Sequence, residues 1–174
     1  MTDIRRLELH VVELATAFRV RLHFVPDMPY EGAQVVANSV IDPRVPSIVK
    51  TRPIHSEEEY AVALHELGHI LHPSGYLRGK ITATPLSNEE YRRHMNLILQ
   101  EEDSAWVWAE ANALYWSAAM EGLRRTALQC YDNLVRDALR SASRPNTPPA
   151  PPPSAPTRYR AVETLDDFLK RRDR

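Results

Sequence analysis

A single cysteine, Cys130, occurs in 174 residues, so neither a disulfide framework nor a cysteine-ligated metal site can be built within one chain. That favours a reducing, cytoplasmic setting. Net charge is nearly absent as well. The chain carries 22 Lys and Arg against 23 Asp and Glu, a formal −1 at pH 7, which gives no electrostatic reason to expect a nucleic-acid or membrane partner. Long apolar runs are missing from the N-terminal MTDIRRLELHVVELATAF, where charged residues break every apolar stretch. It matches neither a secretory leader nor a membrane span. A hydrophobic share of 43% and this length suit one folded domain with a tail rather than two domains.

What is present reads as an ordered series of elements. Ile4, Leu7, Val11, Leu14 and Phe18 recur at three and four, predicting an amphipathic helix with one buried stripe. VRLHFVP then alternates Val20, Leu22 and Phe24 with Arg21 and His23, the pattern of a half-buried strand. QVVANSVI and PSIVKT flank the turn-forming DPRVP, so residues 34–51 are expected to form a hairpin or two short strands. Ser56 and Glu59 fit a capping box opening a helix that stops at Pro73. Ser87 and Glu90 offer a second box, opening a long helix without Gly or Pro before Gly122. Leu128, Tyr131, Val135 and Ala138 continue a further helix to about Ala142. The fold class expected is α+β and mainly helical, with a small sheet of about three strands. Residues 1–143 are the expected domain, 144–158 a proline-rich linker, and 159–174 a tail able to form a short helix.

The first of these internal helices carries HELGH at 65–69. Residues four apart on a helix are offset by about 40° around the axis and about 6 Å along it, so His65 and His69 project side by side and can meet one zinc ion. Glu66 can reach a water at that metal and act as its general base. The competing reading is a histidine pair on a solvated helix face. A catalytic zinc site needs a third protein ligand. Position 75, where a metzincin places its third histidine, is Gly75. His72 lies about 10 Å along the axis from His65, too far to share the ion, and is expected to be structural. A later carboxylate is the other route. Tyr91, Met95, Ile98, Ala105, Ala109 and Trp116 form a helical stripe that includes Glu102, whereas Glu101 is rotated about 100° away. A carboxylate on a buried stripe is costly unless it ligates a metal or pairs with a cation. Glu102 is therefore expected to be the third ligand, with an ion pair to Arg92 or Arg93 as the alternative. His65, His69 and Glu102 with an open fourth position make a gluzincin arrangement.

LHELGHILH at 64–72 and EDSAWVWA at 102–109 resemble the ImmA/IrrE family of zinc metallopeptidases, in which an N-terminal helix and small sheet precede an HExGH helix and a downstream ExxA motif. The resemblance covers roughly residues 5–120. It implies a minimal zincin fold, Glu66 as the catalytic residue, Glu102 as third ligand and Zn(2+) as cofactor. Two departures stand out: Trp106 occupies a position often acidic in the family, and ANALYWSAAM follows where LLMP is frequent. The family cuts or helps to inactivate helix-turn-helix repressors of mobile elements or stress regulons, implying a separately encoded repressor as the protein substrate. The short N-terminus leaves no room for a fused helix-turn-helix domain.

Peptide hydrolysis is the leading expectation, with an extended substrate added to a sheet edge and an oxyanion donor among Tyr30, Tyr76, Tyr91 and His94. The alternative is a non-hydrolytic, metal-ordered binding module that inactivates its partner by sequestration. Direct nucleic-acid binding through Arg124, Arg125 and the terminal KRRDR is disfavoured by the interspersed acids. No membrane contact is expected, and the oligomeric state is left open.

Overall fold

The computed structural model describes residues 3–28, 34–36, 44–71 and 88–142. Helix α1, Ile4–Ala17, is capped by Asp3, whose Oδ1 accepts the Arg6 N–H at 3.4 Å. Leu7, Val11 and Ala15 form its buried stripe, with Ile4 and Leu14 half-buried beside it. Phe18 departs from the expected stripe. It stands at the C-cap, 43% exposed, with its ring edge-on to Trp108 at 6.0 Å. The reason is the turn that follows, in which Arg19 adopts a left-handed φ of 56° and the Val20 N–H bonds back to the Ala15 carbonyl at 2.8 Å. The helix has therefore ended before Phe18 can extend its inner face.

Strands β1 (Arg21–Phe24), β2 (Gln34–Val36) and β3 (Ile48–Thr51) form a sheet in the order β1-β3-β2. β1 runs parallel to β3, with Arg21 opposite Ile48, and β2 runs antiparallel to it, with Val35 opposite Val49. Leu22 and Phe24 face inward while Arg21 and His23 are exposed, as the alternation predicts. Central β3 is the most covered, burying Val49 and Thr51.

Helix α2, Glu57–Leu71, is buried from Glu59 to Ile70 on every face. It packs against α1, β2, β3 and both later helices, so it is the axis around which the fold closes. Its start is fixed as expected, with the Ser56 hydroxyl accepting the Glu59 N–H at 3.1 Å. The reciprocal reach differs: Glu59 Oε2 accepts the His55 N–H at 2.7 Å, one residue before the cap, while Oε1 pairs with Arg52 at 3.3 Å.

Two helices of equal length follow, α3 (Asn88–Asn112) and α4 (Ala118–Ala142). The break between them falls at Ala113–Ser117 and not at Gly122, which lies inside α4. Polar anchors set it. The Ser117 hydroxyl accepts the Met120 N–H at 3.3 Å, Trp116 Nε1–H donates to Glu121 at 3.1 Å, and the Leu114 N–H donates to the Tyr60 hydroxyl at 2.9 Å. The result is a mainly helical α+β domain around α2. Among the described residues no helix is long and apolar enough to cross a membrane. The linker over 144–158, the tail over 159–174, His72, Pro73 and Ser87 lie outside the described residues.

Candidate metal centre

His65 and His69 lie on adjacent turns of α2, and Glu102 arrives from α3. What lets α3 come so close is Gly68. A Cβ built there would stand 2.7 Å from the Ala105 carbonyl oxygen and 3.0 Å from the Ala105 Cα. No side chain fits, so the glycine of HELGH is where the two backbones touch. Ala105 and Ala109 continue that contact on α3 with small side chains, both fully buried.

Across this contact the three expected ligands meet. His65 Nε2 lies 3.3 Å from Glu102 Oε2, His69 Nε2 lies 3.7 Å from the same oxygen, and the two Nε2 atoms are 3.0 Å apart. One ligand atom from each residue falls within 4.8 Å of the others, and all three residues are buried. The donor set passes the chemical test for a divalent metal: two imidazole nitrogens and a carboxylate oxygen converge in a dry interior. These residues could hold a metal ion. Of the alternative partners for Glu102, Arg93 pairs with Glu89, and the Arg92 side chain lies outside the described residues.

The electrostatics suit ligation. Burial, then the nearby His69, push His65 below the ordinary histidine range, and Glu102 and Glu66 pull it back only in part, so its neutral form is favoured. Burial alone would push the Glu102 carboxyl up, but His69 and His65 together hold it well below the usual carboxylate range. A neutral imidazole beside an ionised carboxylate is the protonation pattern a metal requires. The His65 ring is also held by stacking on Trp106, with centroids 4.2 Å apart and planes at 25°. Trp106, which departs from the resemblance, thus forms one wall of the site. Glu66 is 1% exposed, one residue from His65 on the same helix.

Helical phase alone misplaced one carboxylate. Glu101, expected to be turned away, is 2% exposed, and its Oε1 lies 3.9 Å from His69 Nδ1. The buried arc of α3 includes Glu101, Glu102, Ala105, Trp106 and Ala109, two adjacent positions wide at Glu101–Glu102 and at Ala105–Trp106. The doublet EE before AW was the signal for it, since a helix seated deeply against a neighbour buries pairs rather than single positions. Of the oxyanion candidates, Tyr30 and Tyr76 lie outside the described residues, and Tyr91 and His94 fall on α3 without a described side-chain position. Arg124 pairs with Glu110 at 2.8 Å and Asp103 at 3.5 Å, tying α4 to α3.

Comparison with protein-family models, with curated proteins and with solved structures found no match to this chain.

Proposed function

We propose that this protein is a zinc-dependent endopeptidase of minimal zincin fold, similar to the ImmA/IrrE family, acting in the cytoplasm on a separately encoded helix-turn-helix repressor. The observation that carries this reading is the convergence of His65 Nε2, His69 Nε2 and Glu102 Oε2 beside a buried Glu66. His65, His69 and Glu102 would hold the zinc, which would supply a lowered pKa for water and Lewis acidity toward a carbonyl. Glu66 accepts the proton of the attacking water and delivers it to the leaving amine. His65 and His69 keep their Nε2 lone pairs aimed inward, and the wall of Trp106 excludes bulk water from the His65 side. Edge strand β2 packs on α2 and is the edge at which an extended peptide would add as a further strand.

A second reading, a metal-ordered module that sequesters its partner, is favoured by one observation. His65, Glu66, His69 and Glu102 are all between 0% and 3% exposed, the burial expected of a centre that orders a fold. One substitution separates the two readings. In Glu66→Gln the expected outcome is wild-type zinc content with cleavage of the repressor lost by at least two orders of magnitude, on the scale of general-base contributions. Purified protein that takes up no zinc refutes both readings. A Glu66→Gln variant that binds zinc, cleaves nothing and still inactivates the repressor identifies the sequestering module.

A further inference from the structure

Adjacent residues on a helix point about 100° apart, yet Glu101 and Glu102 are both buried, at 2% and 0% exposure. His69 explains how both are accommodated, because its ring lies between them. Its Nε2 edge faces Glu102 at 3.7 Å and its Nδ1 edge faces Glu101 at 3.9 Å. His65 is held differently. The Trp106 ring lies stacked on it, with centroids 4.2 Å apart. One ligand histidine lies against a ring and the other between two carboxylates.

We propose that Glu101 is a positioning residue of the metal centre, accepting the Nδ1–H of His69 so that Nε2 is presented beside His65 and Glu102. The inference rests on the metal-centre reading above and adds a partner to it. A neutral imidazole that offers Nε2 to a metal carries its proton on Nδ1, where it is an obligate donor. In an interior this buried, a donor without an acceptor is costly. The Glu101 carboxylate lies on that side of the ring, and closing from 3.9 Å to a charge-assisted hydrogen bond of about 2.8 Å takes a shift of about 1 Å. Fixing the tautomer and the ring plane is what a carboxylate behind a metal-bound histidine does in general. Glu101 also shares its helix with Glu102, so docking α3 on α2 delivers the ligand and its neighbour's support together.

The test uses the full chain and zinc alone, titrated against a chromophoric chelator. Glu101→Gln is expected to weaken zinc affinity by about 10–100-fold, Glu101→Asp to recover part of the loss, and the metal-free urea midpoint of Glu101→Gln to be no lower than wild type. A purely structural role predicts a lowered midpoint with unchanged zinc affinity, and that result overturns the proposal. The independent readout is the His69 Nδ1–H resonance in the zinc-loaded protein. It is expected far downfield in wild type and shifted upfield in Glu101→Gln. A wild-type His69 without a protected Nδ1 proton overturns the proposal even where the variant fails to fold. Wild-type protein that binds zinc while Glu101→Gln binds it equally well removes Glu101 and leaves the metal centre standing. Wild-type protein that binds no zinc removes both.

Discussion

His10 shows how a single proton ties this fold together. The Tyr60 hydroxyl accepts the Leu114 N–H at 2.9 Å and lies 2.9 Å from His10 Nδ1. His10 Nδ1 can accept the Tyr60 proton only as a neutral ring that carries its own proton on Nε2. Burial is the main influence lowering the His10 pKa, with Arg6 adding to it and Glu13 opposing. A folded pKa below the unfolded one means that, as pH falls, the unfolded chain takes the proton first. Stability contributed by His10 is thus complete above about pH 6.5, the ordinary histidine value, and is lost as pH drops through the folded pKa. The expected measurement is a metal-free urea midpoint that falls between pH 7.5 and pH 5 in wild type and falls less in His10→Asn. Equal falls in both would show that the relay does not carry the effect. Tyr60, whose own pKa is raised chiefly by burial, keeps its proton throughout this range.

At the scale of elements, two glycines make opposite predictions. Gly68 has the Ala105 backbone within 3.0 Å of where a Cβ would be, while Gly122 has nothing within 4 Å and an ordinary helical backbone. Gly68→Ala must drive α3 away from α2. An overpacking cost of about 1–3 kcal/mol is expected, with zinc binding lost because Glu102 leaves the two histidines. Gly122→Ala is expected to stabilise by about 0.5–1 kcal/mol through helix propensity alone. Denaturant midpoints and zinc content of the two variants check both, and a neutral Gly68→Ala would show that the helices do not touch there. The same contrast explains what the sequence could convey. That His65, His69 and Glu102 belong together was legible, because four-residue spacing and one apolar stripe are local properties of a helix. The start of α2 was legible for the same reason, since a cap is written in adjacent residues. How deep α3 sits against α2 depends on Gly68 meeting Ala105, a contact between distant positions, and with it went the burial of Glu101. The break at Ala113–Ser117 was hidden likewise: Ser117 caps α4, but the turn is also held from α2 by Tyr60, and neither Gly nor Pro marks it. Phe18 fell outside its stripe because the left-handed Arg19, a residue with no glycine-like signature, ends α1 first.

For the whole molecule, the three proposed ligands come from two helices that meet only in the folded state, so metal uptake is coupled to folding. Zinc at about 100 times its dissociation constant is expected to add about 2.7 kcal/mol of stability, raising the melting temperature by on the order of 10 °C. A chelator should reverse it. The same shift is expected in a chain ending at Ser143, because His65, Glu66, His69, Glu101 and Glu102 all precede that point. Calorimetry on both chains, with and without chelator, makes the comparison, and loss of the shift on truncation would show that residues 144–174 support the centre.

Under the proposed function, the glycine contact decides when this protein becomes dangerous to its surroundings. Under the proposed function, a nascent or misfolded copy carries the complete HELGH motif and is still harmless, since Glu102 joins the histidines only after α3 seats on Gly68. On that proposal, hydrolytic competence is withheld until the tertiary fold is complete, so the helix pair acts as its own safety catch.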